Sequence, residues 1–268
     1  MPHVPHPRHR PFLSAAALLS FATLAATSAM TATADIYDDA VAHPGRSAAD
    51  LKRDPIDRPA DMLRLAGLKP GMQVADFMAA DGYYSELASY IVGPSGHVLL
   101  LNNATWDYWS GDHWKERIAN RLPNVEHRTI DAEHVDVPDH SQDAVLLIKA
   151  YHDFYVMPYH DSSGDPRADW PRFEVGRVVG ELARMLKPGG ILLLIDHSAR
   201  PGTGTADATS LHRIDEAYAR QEFEQHGFTL VRSSDLLRRP DDPRDAISYK
   251  GPMVGKTDRF VLVLRRNR

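Results

Sequence analysis

The 268-residue sequence contains no cysteine. That excludes disulfides, thiolate metal sites and a cysteine nucleophile, and it is compatible with an oxidising compartment. There is no acidic residue before Asp35. No apolar run reaches the roughly 20 residues that span a bilayer. No basic stripe is present either, and Arg238-Arg239 and Arg265-Arg266 are short, ordinary pairs. With a formal net charge of −5, the chain has no electrostatic reason to bind nucleic acid or an anionic membrane. No internal repeat is visible.

What is present divides unevenly. Arg8 and Arg10 precede an apolar run from Phe12 to about Ala26, and Ala32-Thr33-Ala34 is a small-x-small pattern. Together these read as a secretory signal peptide over residues 1–34, with cleavage after Ala34 or a few residues earlier. Its histidines, His3, His6 and His9, are set aside with it. The mature protein is then expected outside the cytoplasm, in the periplasm, without stable membrane insertion. Residues 35–57 are polar with scattered proline and read as an N-terminal arm. The rest, 58–268, reads as one domain, since 43% hydrophobic and 25% charged residues suit a soluble globular protein of this length.

Within 58–268, strand and helix patterns alternate. Pro59 is placed as the first residue of a helix, and Lys69-Pro70-Gly71 ends it. Apolar strands are expected over 72–78, 97–101, 127–130, 144–149, 191–195, 228–232 and 259–264. Helices are expected over 83–92, 106–122 (with Ser110-Gly111 as a possible break), 172–186 and 214–226. In 172–186, Val175, Val178, Val179, Leu182 and Leu186 recur at helical spacing. Ile191 to Ile195 is continuously apolar, as in a strand buried on both faces. Alternation of this kind predicts an α/β, Rossmann-like three-layer sandwich around a mostly parallel seven-stranded sheet with an antiparallel last strand. Right-handed crossovers place the carboxyl ends of the parallel strands along one edge, where ligands of such sheets bind.

Several stretches resemble class I S-adenosylmethionine-dependent methyltransferases. Gly180 to Leu194, containing Leu186-Lys187-Pro188-Gly189-Gly190 before an apolar strand, is similar to that family's helix-turn-strand signature. Val74 to Tyr84 falls where the family has an acidic residue and a glycine-rich loop. Shorter pieces are similar to a subgroup of exported bacterial proteins: Gly82-Tyr83-Tyr84-Ser85-Glu86, Tyr151-His152-Asp153, Asp196 to Gly202, Leu211 to Asp215, and Gly255 to Phe260. The resemblance covers about residues 40–268. It implies S-adenosylmethionine as cofactor, held by Asp76, Ala80, Gly82, Asn102 and Asp131. The sequence departs from the family at two places. Met78 and Ala80 replace two loop glycines, and each side chain can crowd a ligand against the backbone. Asn102 replaces the usual ribose-binding carboxylate with a neutral amide.

His152 and Asp153 follow the fourth strand, and Asp196 and His197 follow the fifth. The two pairs are expected to face one cleft. His152, Asp153 and His197 are the candidate catalytic residues, a neutral histidine taking a proton from a hydroxyl or amine while a carboxylate orients its ring. A purely structural role for them stays open, and His212 and Asp215 read as structural. His152, His160, His197 and His212 with Asp153 and Asp161 could supply metal ligands, but none falls at a recognisable motif spacing, and no metal is expected. The aromatic-rich stretch 151–171 is either a substrate wall or a small cluster over the sheet edge. Lys256 and Arg259 read as surface ion pairs in preference to contacts for an acidic substrate. The leading expectation is O- or N-methylation of a small molecule. The alternatives are an exported, non-catalytic ligand-binding protein on the same scaffold and a metal-dependent hydrolase.

Overall fold

The structure, a computed structural model, describes residues 1–4, 35–119 and 121–268. The signal segment expected over 1–34 lies, except for its first four residues, outside them. The arm is helical rather than irregular. Asp35 caps α1 (Ile36–Val41) by accepting from the Tyr37 N–H, and Ser47 caps α2 (Ala48–Asp57) by accepting from the Asp50 N–H. Side-chain caps of this kind satisfy backbone donors that a helix start leaves free. Pro59 opens α3 (Pro59–Ala66) at a position where a missing N–H costs nothing.

The alternating part follows. β1 (Gln73–Phe77) leads through a tight loop to α4 (Tyr83–Val92), and β2 (His97–Asn102) to α5 (Ala104–Trp109) and α6 (Trp114–Ile118), broken at Ser110-Gly111. β3 (Val125–Thr129) and β4 (Gln142–Ile148) come next. A 3₁₀ turn (His152–Tyr155), α7 (Val175–Met185) and β5 (Leu186–His197) follow. The chain ends with α8 (Ala208–Leu211), α9 (Glu216–Gln225), β6 (Phe228–Ser234) and β7 (Arg259–Arg266). β5 begins at Leu186, so Lys187-Pro188-Gly189-Gly190 sits inside it. The register to β4 shifts there, from Gln142 opposite Leu186 to Ala144 opposite Ile191. This bulge lets proline and two glycines enter a strand that starts irregularly.

The seven strands lie in the order β3-β2-β1-β4-β5-β7-β6. β1 to β5 are parallel, and β7 runs antiparallel to both β5 and β6. Alternate residues feed two cores. Ala75, Phe77, Val145, Leu147, Leu192 and Leu194 pack with Val178, Val179, Leu182 and Met185 of α7 and with Phe223 of α9. Val74, Leu146, Leu193 and Ile195 pack with Met62 and Leu63 of α3 and Leu87 and Ile91 of α4. Each such leucine, fully buried, contributes about 1.5–3 kcal/mol. Strand order reverses between β1 and β4, and the crevice outside that switch point is where this fold takes ligands. Among the described residues, no helix is long and apolar enough to cross a membrane.

Candidate functional site

Met78 (φ 55°) and Ala80 (φ 54°) hold the left-handed backbone that glycine adopts freely, and Gly82 (φ 80°) completes the turn into α4. The loop therefore keeps the path of a glycine-rich one at a cost of roughly 1–2 kcal/mol per substituted residue. A Cβ at Gly82 would stand 2.6 Å from Leu100 Cδ1, so any larger residue there has to displace that buried side chain as well as adopt a left-handed backbone.

Asn102 explains how the loop is held. Its Oδ1 accepts the Ala80 N–H at 2.9 Å, and its Nδ2 donates to the Ala80 carbonyl at 2.9 Å and to Asp107 Oδ1 at 2.8 Å. A carboxylate could not donate to the carbonyl and would face Asp107 with like charge. Asn102 is fully buried, so its amide serves the loop. Asp131 stands apart: it is exposed, accepts the Glu133 N–H and lines none of the three cavities below.

Asp76 points from β1 toward α4 and accepts from Ser85 Oγ at 2.7 Å. Burial pushes its carboxyl up to about 7, against the Ser85 hydrogen bond. The native state thus holds a proton that the unfolded chain, with an ordinary value of 3.8, releases. Stability from this group is full at low pH and is lost as pH rises through about 7. Asp76→Asn cannot ionise, so it is expected to gain on the wild type by about 1–3 kcal/mol between pH 5 and pH 8. Urea titrations at the two pH values measure this, and an equal difference at both would refute it.

A crevice of about 160 Å³ lies against this loop, lined by Asp76, Met78, Ala80, Arg53, Trp106 and Lys149. A second cavity of about 280 Å³ shares Ala80, Trp106 and Lys149 with it. That cavity in turn shares Trp109, Lys149, Asp153 and Trp170 with a third of about 590 Å³. Three neighbouring cavities thus follow the carboxyl edge from the β1 loop to the ends of β4 and β5, and Lys149 lines all three. Lys149 Nζ is 3.1 Å from Asp57 Oδ2. Burial and the neighbouring Arg53 guanidinium push its amine down to about 8, against the pull of Asp57.

His152, Asp153 and His197 all line this third cavity, together with His212, Tyr159, Trp170 and Tyr249. The pairings cross between strands. His152 Nδ1 lies 2.6 Å from Asp196 Oδ1 and Nε2 lies 3.1 Å from Asp153 Oδ1, while His212 Nδ1 is 3.0 Å from the same Asp153 oxygen. Burial opposes charge on His152, but the two carboxylates outweigh it and push the ring up to about 10. His152 is therefore a proton donor at neutral pH. His197 has no carboxylate on its ring, and its Nδ1 meets Thr257 Oγ1 at 2.8 Å. Burial, with His152 and Lys149 nearby, holds it well below the usual histidine range, so it is neutral. Two imidazoles with ring centres 5.8 Å apart are thus driven to opposite protonation states.

Asp215 is the N-cap of α9, accepting from the Ala217, Gly202 and Gly204 N–H groups. Arg259 is not a surface residue: it is 3% exposed and pairs with Asp57 at the end of α2. Arg53, Lys149, Ser248 and Tyr249 line the cleft but drew no functional reading from the sequence. Lys149 carried a usable signal, a lone cation ending the apolar run of β4. Arg53 and Tyr249 sit in polar stretches without one.

Residues 93–194 match the methyltransferase domain family, a stretch that begins beyond the β1 loop. The fold is similar to that of a SAM-dependent methyltransferase from Aquifex aeolicus, with TM-score 0.54 and 20% identity, covering 78% of this chain and 89% of that one. It is also similar to the 4+2 cyclase SpnF, with TM-score 0.54 and 17% identity, covering 87% and 93% of the two chains. No curated protein matches the sequence. The architecture is the Rossmann-like methyltransferase fold.

Proposed function

We propose that the chain is a methyltransferase that uses S-adenosylmethionine to methylate an oxygen or nitrogen of a small acceptor. The observation that carries the reading is the row of neighbouring cavities along the sheet edge, from the β1 loop at the switch point to a larger chamber containing a neutral imidazole. The matched domain family supports it. The residues at the loop fit the cofactor, because Met78 and Ala80 keep the glycine backbone path and the crevice opens beside them.

Asp76 and the loop from Met78 to Asp81 would line the cofactor's place, with Trp106 as an apolar wall. When bound, it supplies an electrophilic methyl group. The protein's own part is to position an acceptor among Trp109, Tyr159, Trp170 and Tyr249 and to keep water away from it. Ser248 lines this chamber, and its buried Oγ has no hydrogen-bond partner among the described residues, which makes it a polar group for the acceptor to engage. The Nε2 of neutral His197 takes the proton that the acceptor hydroxyl or amine loses. The sequence of residues 1–34 adds that the reaction takes place after export, in the periplasm.

Binding of S-adenosylmethionine tests this directly. Calorimetry on the full chain is expected to give a dissociation constant on the order of micromolar. A hundredfold excess of ligand over that constant adds about 2.7 kcal/mol, raising Tm by roughly 5–10 °C. Neither heat nor a thermal shift at millimolar ligand would remove the reading. The second reading, a non-catalytic binding protein, is favoured by the side chains of Met78 and Ala80 at the loop and by the engaged Asn102 amide. It would then be preferred. A cyclase on a similar fold illustrates that architecture leaves the chemistry open.

A further inference from the structure

The geometry points to a divalent transition-metal site formed by His152 Nε2, Asp153 Oδ1 and His212 Nδ1, with one coordination position open to the large cavity. The three donor atoms lie within 4.8 Å of one another. The shared carboxylate oxygen is 3.1 Å from the first nitrogen and 3.0 Å from the second. Ligands about 2.0–2.1 Å from a tetrahedral Zn²⁺ stand roughly 3.3 Å apart. An ion can therefore take the place of the protons between these atoms with only small side-chain movement.

The surroundings also have the form of a metal site. A ligating histidine is commonly oriented by a carboxylate on its other nitrogen. Here Asp196, fully buried, receives His152 Nδ1 at 2.6 Å and also accepts the His152 N–H at 2.8 Å and the His197 N–H at 2.7 Å. Trp170 Nε1 donates to the Asp153 carbonyl at 3.2 Å, holding the 3₁₀ turn in place. His212 sits in the left-handed region (φ 49°, ψ 56°) at the end of α8. A non-glycine residue pays strain there, and such strain clusters at ligand clamps. Tyr249 packs edge-on against the His212 ring at 4.6 Å.

Two imidazoles and one carboxylate select a borderline ion such as Zn²⁺ rather than Ca²⁺ or Mg²⁺, which take oxygen donors. Three protein ligands with an open fourth position are the pattern of a reactive rather than a structural zinc site. The open position faces the chamber of about 590 Å³, so an oxygen of a bound small molecule, hydroxyl or carboxylate, can complete the coordination. The inference goes beyond methyl transfer and does not rest on it.

Full-length protein stripped with a chelator and titrated with Zn²⁺ against a chromophoric competitor is expected to take up one equivalent. Co²⁺ loading is expected to give the visible bands of a tetrahedral site. His212→Gln and Asp153→Asn should each weaken Zn²⁺ binding at least 100-fold and abolish those bands. Asp196→Asn should weaken it about 10–100-fold. Far-UV circular dichroism shows that each variant is folded, and Asp153→Asn, which keeps side-chain volume, serves if His212→Gln does not fold. Absence of stoichiometric uptake overturns the proposal. So does uptake unchanged in both variants, which would place the ion elsewhere, for instance on His3, His6 and His9.

Discussion

Replacing Asp57 with alanine is expected to destabilise the protein by about 3–5 kcal/mol, the typical cost of stranding buried charge by removing its partner. Asp57 is the last residue of α2, and its side chain is 4% exposed. Its two oxygens meet Arg53 Nε at 2.5 Å, Lys149 Nζ at 3.1 Å and the Arg259 guanidinium. Burial opposes its charge, but Lys149, Arg53 and Arg259 together hold the carboxyl far below the usual carboxylate range. Without it, three cations from α2, the end of β4 and β7 face one another with little solvent. The Arg259 Nη2 bond to the Ile56 carbonyl remains but carries no compensating charge. By contrast, Arg53→Ala removes a cation whose side chain is 31% exposed and leaves Asp57 two partners. That change is expected to cost about 1 kcal/mol. Urea unfolding of the two variants reads both numbers. A loss below that of Arg53→Ala would show that Asp57 is not the counter-ion of the cleft.

Replacing His197 with alanine is expected to lower the rate of methyl transfer by about 10²–10⁴-fold, the usual contribution of a positioned proton acceptor. Affinity for S-adenosylmethionine should change little, since His197 lines the large chamber and not the crevice at the β1 loop. The measurement is S-adenosylhomocysteine formation with an acceptor that supports turnover, alongside calorimetry of cofactor binding. His152 should behave differently. Its two carboxylate partners keep it charged, so its loss is expected to disturb the orientation of Asp153 and Asp196 as well as any direct contact. Equal rates for His197→Ala and the wild type would assign the proton to another group, with Lys149 the next candidate.

Part of this was legible before any coordinates. The helix over residues 83–92 and the break at Ser110-Gly111 follow from local apolar spacing and turn chemistry. The helices of the arm did not, because their stability comes from contacts made elsewhere. Asp50 of α2 meets Arg117 of α6 at 2.6 Å, and Asp54 receives the Tyr83 hydroxyl at 2.6 Å. The two substituted glycines read as crowding, yet in the fold they keep the glycine backbone path. Asn102 read as a weakened cofactor ligand, whereas its amide clamps Ala80.

Beyond the arm, pattern alone was enough for the order of the main strands and helices, the two-faced burial of the central strands and the edge at which polar residues gather. Those depend on periodicity and turns, which act over a few residues and leave their mark in the string. Only the tertiary structure decided which histidine meets which carboxylate. His152 reaches Asp196 across 44 positions, Asp153 reaches His212 across 59, and His197 reaches Thr257 across 60. Protonation states and ligand geometry follow from those distances and from burial, and short-range pattern encodes neither.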